Sequence, residues 1–327
     1  MKYIYNNSFN PHFNLAFEEY VMKHMDQNED YFFLWRDNPV IVVGRNQNTI
    51  KEINLDYIEN NNIDVVRRLS GGGAVYHDRN NINFTFITTK TKNTDFKFFT
   101  KPVIEALKKL NINAEFSGRN DLLIDGKKFS GNAQYHHNNR ILHHGTLLFN
   151  SDLSVVEKAL NVSKEKIESK GIKSVKSRVT NIYDYLEEKI TVEEFMNILI
   201  NEIVGDLNAE NQIYPDSYIT DKVDAIKKER YDTYKWNFGE SPDYTLHNKI
   251  KFAYGLIELY LSVSNGLIEN CIFRGDFFGI EDIEIFEKNF IGQKYEIKNI
   301  NDIINSSDLN KYILNASSED ILKLFMF

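Results

Sequence analysis

An α+β architecture built on a mixed sheet, with a smaller α+β domain behind it, is what the sequence predicts, on three observations. Strand-like and helix-like runs intermingle without the strict alternation of a doubly wound sheet. Two Asx-Gly pairs, Asp125-Gly126 and Asn265-Gly266, stand between strand-like runs, as type I′ hairpin turns require. A polar, charged and aromatic stretch, Pro215 to Tyr244, reads as a bridge. It sets off a second unit of roughly 80 residues, a credible domain size, so the expected division is 1–245 and 246–327.

In order along the chain, Asn14 is placed to cap a helix whose Leu15, Phe17, Val21 and Met25 recur at helical spacing. Tyr31–Arg36 reads as a strand, and Asp37-Asn38-Pro39 turns the chain into a second, Val40–Val43. Asn54 opens a helix, and the strand Ile63–Val66 delivers the chain into a glycine-rich loop. Ile82, Phe84 and Phe86 alternate with Asn83, Thr85 and Ile87, a strand pattern. Thr100 is expected to cap a helix towards Leu110, with Pro102 in its first turn. Thr191-Val192-Glu193-Glu194 is a capping box for a helix to about Val204. Two long strand-like runs fill Ile250–Phe277, and helical stretches follow at Glu281–Phe290 and Ser318–Phe325.

Composition excludes several classes of function. With 39 Lys+Arg against 47 Asp+Glu, the net charge of −8 argues against nucleic acid or an anionic membrane as partner. The single cysteine, Cys271, cannot form an internal disulfide or a cysteine-based zinc site. The doublets His136-His137 and His143-His144 point to opposite faces of a strand and have no carboxylate at ligand spacing, so they do not read as metal ligands. No run approaches the roughly 18 apolar residues of a membrane span, so a soluble, intracellular protein is expected.

The most informative segment is Arg67-Arg68-Leu69-Ser70-Gly71-Gly72-Gly73-Ala74-Val75-Tyr76-His77-Asp78. Three glycines let backbone and ligand approach closely, and successive N–H groups can turn towards an anion. Arg68 adds a planar fork suited to carboxylate or phosphate. No Gly-Lys-Ser/Thr follows, and Tyr76 stands where a dinucleotide fingerprint has its third glycine. A flexible hairpin with a solvated arginine pair is the bland alternative.

This segment resembles the signature loop of the lipoate–protein ligases. Other blocks agree in order: Phe13–Glu19, Gly44–Asn48, Gly118–Leu122, Lys128–Ala133, His143–Leu148 and Lys170–Asn181. Trp236–Gly239 and Gly275–Gly279 are similar to the junction and C-terminal domain of the two-domain bacterial form. Asn80 departs from the family, which has glycine there, although asparagine tolerates positive φ.

The resemblance implies a large mixed-sheet domain of the biotin/lipoate ligase type that adenylates lipoate, and a small domain that caps the site or orients acceptor and loop. It implies ATP and Mg2+, with lipoate as substrate and lipoyl-AMP as intermediate. The acceptors it implies are lipoyl domains of 2-oxoacid dehydrogenase E2 subunits and the glycine cleavage H protein, in the cytoplasm. Lys128 becomes the expected catalytic residue, although the residues alone leave Lys127 and Lys128 equal. Arg68, Gly73, Ala74, Val75, Tyr76, His77, Asn81, Asp121, Lys128, Lys176 and Arg178 are expected on ATP or the adenylate. Asp121 is also the candidate magnesium ligand, in the usual arrangement of few carboxylates plus phosphates. Leu15, Phe17, Trp35, Arg68, Ser70, Val75, His77, Lys128, Ala133, His144 and Thr146 are expected on lipoate, with ordinary core as the alternative for Leu15, Phe17 and Trp35. Lys164–Arg178, with a local excess of positive charge, is expected to be mobile without ligand. A cysteine-dependent acyltransferase is disfavoured because Cys271 lies outside the matching catalytic blocks. A cysteine-independent lipoyl or octanoyl transferase and a non-catalytic lipoate or adenylate binder stay open as alternatives. No residue stands out as the base for the acceptor lysine.

Overall fold

The computed structural model describes residues 1–160, 178–238, 245–264 and 266–326. Strand β1 (Lys2–Ile4) leads into helix α1 (Pro11–His24), then β2 (Tyr31–Trp35) and β3 (Val40–Val43). Short helices α2 (Thr49–Glu52) and α3 (Leu55–Asn60) precede β4 (Asp64–Arg67), β5 (Val75–His77) and β6 (Asn81–Thr89). Helix α4 (Phe96–Lys109) comes next, followed by β7 (Ala114–Ser117), β8 (Asp121–Ile124), β9 (Lys127–His137) and β10 (Arg140–Leu148). Helix α5 (Leu153–Ala159), helix α6 (Val192–Ile203), β11 (Gln212–Ile213) and helix α7 (Ser217–Ile226) complete the larger part.

Eight strands form one sheet in the order β11-β1-β2-β6-β10-β9-β8-β7, parallel at the β11-β1-β2 end and antiparallel elsewhere. Strand alternation sends side chains to two cores. Phe32, Leu34, Ile82, Phe84 and Phe86 pack beneath α4 and α6, whereas Phe33 and Trp35 join Leu15, Phe17 and Val21 of α1 on the other face. On that second face β6 supplies Asn83 and Thr85, both buried, where apolar residues would otherwise continue the core. A small sheet, β4-β3-β5, is buried on both sides, with Val40 and Val42 in one cluster and Ile41 and Val43 in another.

The remainder is an antiparallel sheet of β12 (Leu246–Phe252), β13 (Gly255–Ser264) and β14 (Leu267–Gly275), covered by helices Ile283–Lys288, Ile297–Ser306 and Ser318–Leu324. Leu259, Phe273, Phe286, Ile304 and Leu324 form a separate core. The expected mixed α+β organisation is therefore present in both parts. No helix among the described residues is long and apolar enough to cross a membrane.

Three local expectations are corrected. Asn10, not Asn14, caps α1, accepting from Phe13 N at 3.0 Å with Pro11 in the first turn; Asn14 is fully buried inside the helix. Asp95, not Thr100, caps α4, and the Thr100 hydroxyl instead donates to Phe96 O at 2.8 Å. Pro102 consequently sits inside α4 rather than in its first turn. The stretch read as a bridge largely packs on α1: Tyr231 is fully buried and donates to Glu19 Oε2 at 2.9 Å. Its last part, 239–244, and Asn265 of the second hairpin lie outside the described residues.

Candidate active site

The face of the large sheet that carries Asn83 and Thr85 is closed over by the glycine loop, leaving a cavity of about 120 Å³. Leu15, Trp35, Val42, Val75, Ala133 and Phe278 supply apolar wall, and Arg68, His77, Asn83, Lys128, His144 and Thr146 supply polar groups. A mostly apolar slot with few convergent polar groups is the usual form of a small-molecule site.

Lys128 reaches the cavity because of the turn before it. Asp125 and Gly126 adopt φ of +50° and +73°, the left-handed pair that a type I′ turn demands. Leu123 opposes Lys128 and Leu122 opposes Ser130, so Phe129 is bulged, and its side chain enters the core behind the sheet. Lys127 is exposed, whereas Lys128 lines the cavity, which separates the two lysines. The backbone of Lys128 is clamped between Arg178 O (2.7 Å) and Thr180 N (2.9 Å). Its Nζ lies 2.7 Å from Asp121 Oδ1. Gly131, three residues on, leaves room for this path, since a Cβ there would stand 2.8 Å from Nζ and the lysine end would have to shift.

Two histidines face the cavity, each held by a buried carboxylate. His144 Nδ1 lies 3.0 Å from both oxygens of Glu18, and its Nε2 is 2.6 Å from Ser70 Oγ. Glu18 also accepts from Thr85 Oγ1, which accepts from Trp35 Nε1 at 2.9 Å, so the tryptophan is fixed by the same network. His77 Nδ1 lies 2.8 Å from Asp37 Oδ2, and Asn14 Nδ2 donates to the other oxygen of Asp37 at 2.9 Å.

The glycine loop differs from the expected row of amides open to an anion. Arg68, whose burial pushes its guanidinium down to about 10, still charged at neutral pH, donates to Ser70 Oγ, Val42 O, Gly71 O and Gly73 O. Its fork thus braces the loop from within. Gly72 N donates to Phe277 O at 3.3 Å. A Cβ on Gly71 would meet Phe277 O at 2.4 Å, and one on Gly72, where φ is +93°, would meet the Phe278 ring at 2.8 Å. Two of the three glycines therefore serve the contact with the segment after β14. Gly73 alone of the three opens onto free space. Arg119 locks the same contact, with its guanidinium 4.5 Å above the Phe278 ring and a donated bond to Tyr254 O.

Leu15, Trp35, Arg68, Gly73, Ala74, Val75, His77, Lys128, Ala133, His144 and Thr146 all line the cavity. Phe17 belongs to the core, edge-on to Phe33. Tyr76 points away from Val75 and His77 into the cluster around Ile41, as strand alternation dictates. Ser70 stands behind His144, Asn81 is buried against Asn83, and Asp121 faces Lys128. Arg178 contributes its carbonyl to the clamp on Lys128. Lys176, with the rest of the basic run except Arg178, lies outside the described residues. Sequence reasoning missed Val42, Asn83, Asn120, Asn132 and Phe278 among the lining residues. Asn83 was detectable as the polar member of the β6 alternation. Phe278 lies in the Gly275–Gly279 block, but nothing in that block pointed to a place in the cavity.

The chain matches the family described as "Lipoyl protein ligase A/B catalytic domain" over residues 10–204, and "Bacterial lipoate protein ligase C-terminus" over 241–325. Fold, cavity and match together define an enzyme of the ligase class. Lipoate-protein ligase LplJ of Bacillus subtilis is 46% identical over 331 residues, covering 99% of each chain. The crystal structure of P. falciparum LipL1 in complex with lipoate superposes with a TM-score of 0.81 at 28% identity, over 98% of this chain and 97% of that one. A bipartite lipoate protein ligase from Thermoplasma acidophilum, described with its E2 lipoyl domain, gives 0.66 at 25% identity over 75% and 98%. The protein belongs to the lipoyl protein ligase A/B family.

Proposed function

We propose that the protein ligates free lipoate to a lysine of lipoyl acceptor domains in two steps, an ATP-dependent salvage reaction. A carboxylate resists attack by an amine because its leaving group would be oxide. Transfer of AMP to the lipoate oxygen, with release of pyrophosphate, supplies a competent leaving group. Two anions must meet for this, so the site needs fixed cations where charge develops.

Lys128 is the observation that carries the reading: a lysine lining a mostly apolar cavity, with a paired acid beside it. In the adenylation step its ammonium moves from Asp121 to the lipoate carboxylate and the α-phosphate. In the second step it polarises the mixed anhydride. Leu15, Trp35, Val75 and Ala133 take the dithiolane and alkyl chain, and Gly73 and Ala74 border the adenylate. Asp121 is one partly exposed carboxylate, which fits a magnesium ion otherwise held by phosphate oxygens; bound there, the ion would offset phosphate charge.

A separate apolar core supports division into an adenylating unit, 1–245, and an accessory domain, 246–327, that closes the cavity through Phe278. The acceptors proposed are 2-oxoacid dehydrogenase E2 subunits and glycine cleavage H protein, and the compartment the cytoplasm. A thiol-dependent transferase is disfavoured because Cys271 is buried in the C-terminal core, where desolvation pushes its thiol up. The test is pyrophosphate release that requires both ATP and lipoate, followed by a lipoyl mass gain on an acceptor domain. Acyl transfer without ATP, or binding without turnover, would replace this reading.

A further inference from the structure

The two carboxylate-held histidines in the cavity are not equivalent. His144 has both ring nitrogens engaged, one by Glu18 and one by Ser70 Oγ. His77 has Nδ1 engaged by Asp37, but its buried Nε2 has no hydrogen-bond partner among the described residues. His77 is 3% exposed and is one of the residues lining the cavity, and its Nε2 is a buried ring nitrogen left open. Leaving such an atom unsatisfied is costly, and a catalytic role is one of the reasons native proteins retain it.

The carboxylate selects the tautomer of the ring. Asp37 is fully buried and accepts at both oxygens, from Asn14 Nδ2 and from His77 Nδ1–H. With the proton on Nδ1, Nε2 of the neutral ring carries a lone pair. This is the arrangement of an acid-oriented general base. Trp35 packs edge-on against the ring at 6.2 Å and Asn83 adds a contact to Asp37, which fix its plane. The charged and titratable groups at the cavity are Arg68 just after β4, Lys128 from β9 with its partner Asp121 from β8, and His144 with Glu18 from β10 and α1.

We propose that His77, oriented by Asp37, is the base that takes a proton from the acceptor lysine before it attacks the acyl-adenylate. The inference rests on the function proposed above and adds the group that reaction lacks. The incoming ammonium gives one N–H proton to His77 Nε2, and the freed lone pair attacks the carbonyl carbon. As the C–N bond forms and the tetrahedral centre collapses, the C–O bond to AMP breaks and its electron pair stays on the phosphate oxygen. The second N–H proton leaves with that phosphate, and His77 returns its proton to solvent when product departs. Asp37 and Asn14 are positioning residues in this scheme.

The transfer step is isolated by supplying synthetic lipoyl-AMP and an acceptor domain, and adenylation is followed separately as pyrophosphate release. In His77→Gln the transfer rate is expected to fall on the order of 10²- to 10³-fold, the usual yield of a positioned base. The deficit should shrink roughly tenfold per pH unit on raising the pH, as more of the acceptor lysine becomes free amine. Imidazole should restore part of the transfer rate to His77→Ala. Asp37→Asn, which favours the other tautomer, should lose transfer in the same direction. A deficit independent of pH, or one equal in both half-reactions, overturns the assignment and leaves His77 as a binding residue. A second handle guards against misfolding: if His77→Gln melts well below the parent, the imidazole response of His77→Ala decides, and no response rejects the base. If the parent protein makes no lipoyl-AMP yet transfers from the synthetic compound with the expected pH behaviour, the base stands and the ATP step falls.

Discussion

Replacing Lys128 by alanine should separate catalysis from stability, because the role proposed for its ammonium and the strength of its ion pair carry very different weights. The ion pair to Asp121 spans 2.7 Å, but the side chains of both partners are about one-third exposed, at 35% and 33%. Solvent-screened pairs of this kind are worth roughly 0–1 kcal/mol. The backbone clamp through Arg178 O and Thr180 N does not involve the side chain and survives the substitution. For a domain of this size, 1 kcal/mol moves Tm by about 2–4 °C, which caps the expected shift. Removal of one preorganised donor from a developing charge costs on the order of 10²- to 10³-fold in rate, about 3–4 kcal/mol. The expected result is therefore a loss of two to three orders of magnitude in ATP- and lipoate-dependent pyrophosphate release, with a melting shift of a few degrees at most. Lys127→Ala, one residue away on the exposed face, is the control and should match the parent. Near-parental release by Lys128→Ala, or an equal loss in Lys127→Ala, would refute the reasoning.

Gly71→Ala should lower turnover and raise KM for lipoate, because its Cβ would lie 2.4 Å from Phe277 O, a backbone atom that yields only by separating the loop from the segment after β14; unchanged kinetics would mean that this contact does not bear on the cavity. Phe278→Ala opens the cavity wall and removes the ring under Arg119, so weaker lipoate binding by calorimetry is expected, with adenylation at saturating lipoate less affected. Burial pushes the Glu287 carboxyl up to about 7, so it binds a proton in the folded state over the window between about 4.5 and 7 that it lacks when unfolded. Its contribution is present below that window and lost as pH rises through it, on the order of 3 kcal/mol, so Glu287→Gln should be relatively more stable than the parent at pH 8 than at pH 5 in denaturant melts. Thr191→Ala removes one half of the capping box on α6, where Glu194 N donates to Thr191 Oγ1 at 3.2 Å, and should cost about 1 kcal/mol.

What could be read from the sequence was what depends on neighbours in the chain. The Asp125-Gly126 turn, the Thr191 capping box and the β6 alternation are determined within a few residues, and each is present as expected. The caps of α1 and α4 were misplaced because several Asx and Thr residues lie close together, and only packing decides among them. Asn14 looks like a cap, yet burial and its bond to Asp37 make it part of the scaffold under His77. Similarly, the pocket-facing histidines were visible, but the acids that hold them come from elsewhere. Glu18 lies 126 residues from His144, and Asp37 lies 40 from His77.

The glycine triplet shows the same limit from the opposite side. Its conformational freedom is legible, but the purpose of that freedom is not. A local reading assigns all three glycines to an anion, since a ligand is the only close neighbour a loop considered alone can have. In the folded chain Gly71 and Gly72 lie against Phe277 and Phe278, more than 200 residues later. The loop thus has two faces with different demands: close approach to the second domain at Gly71 and Gly72, and open space at Gly73. A substitution at the first two positions should act through the domain contact, and one at Gly73 through the ligand. Gly73→Ala, unlike Gly71→Ala, should therefore leave the thermal unfolding of the free protein almost unchanged and reveal its effect only when nucleotide is present.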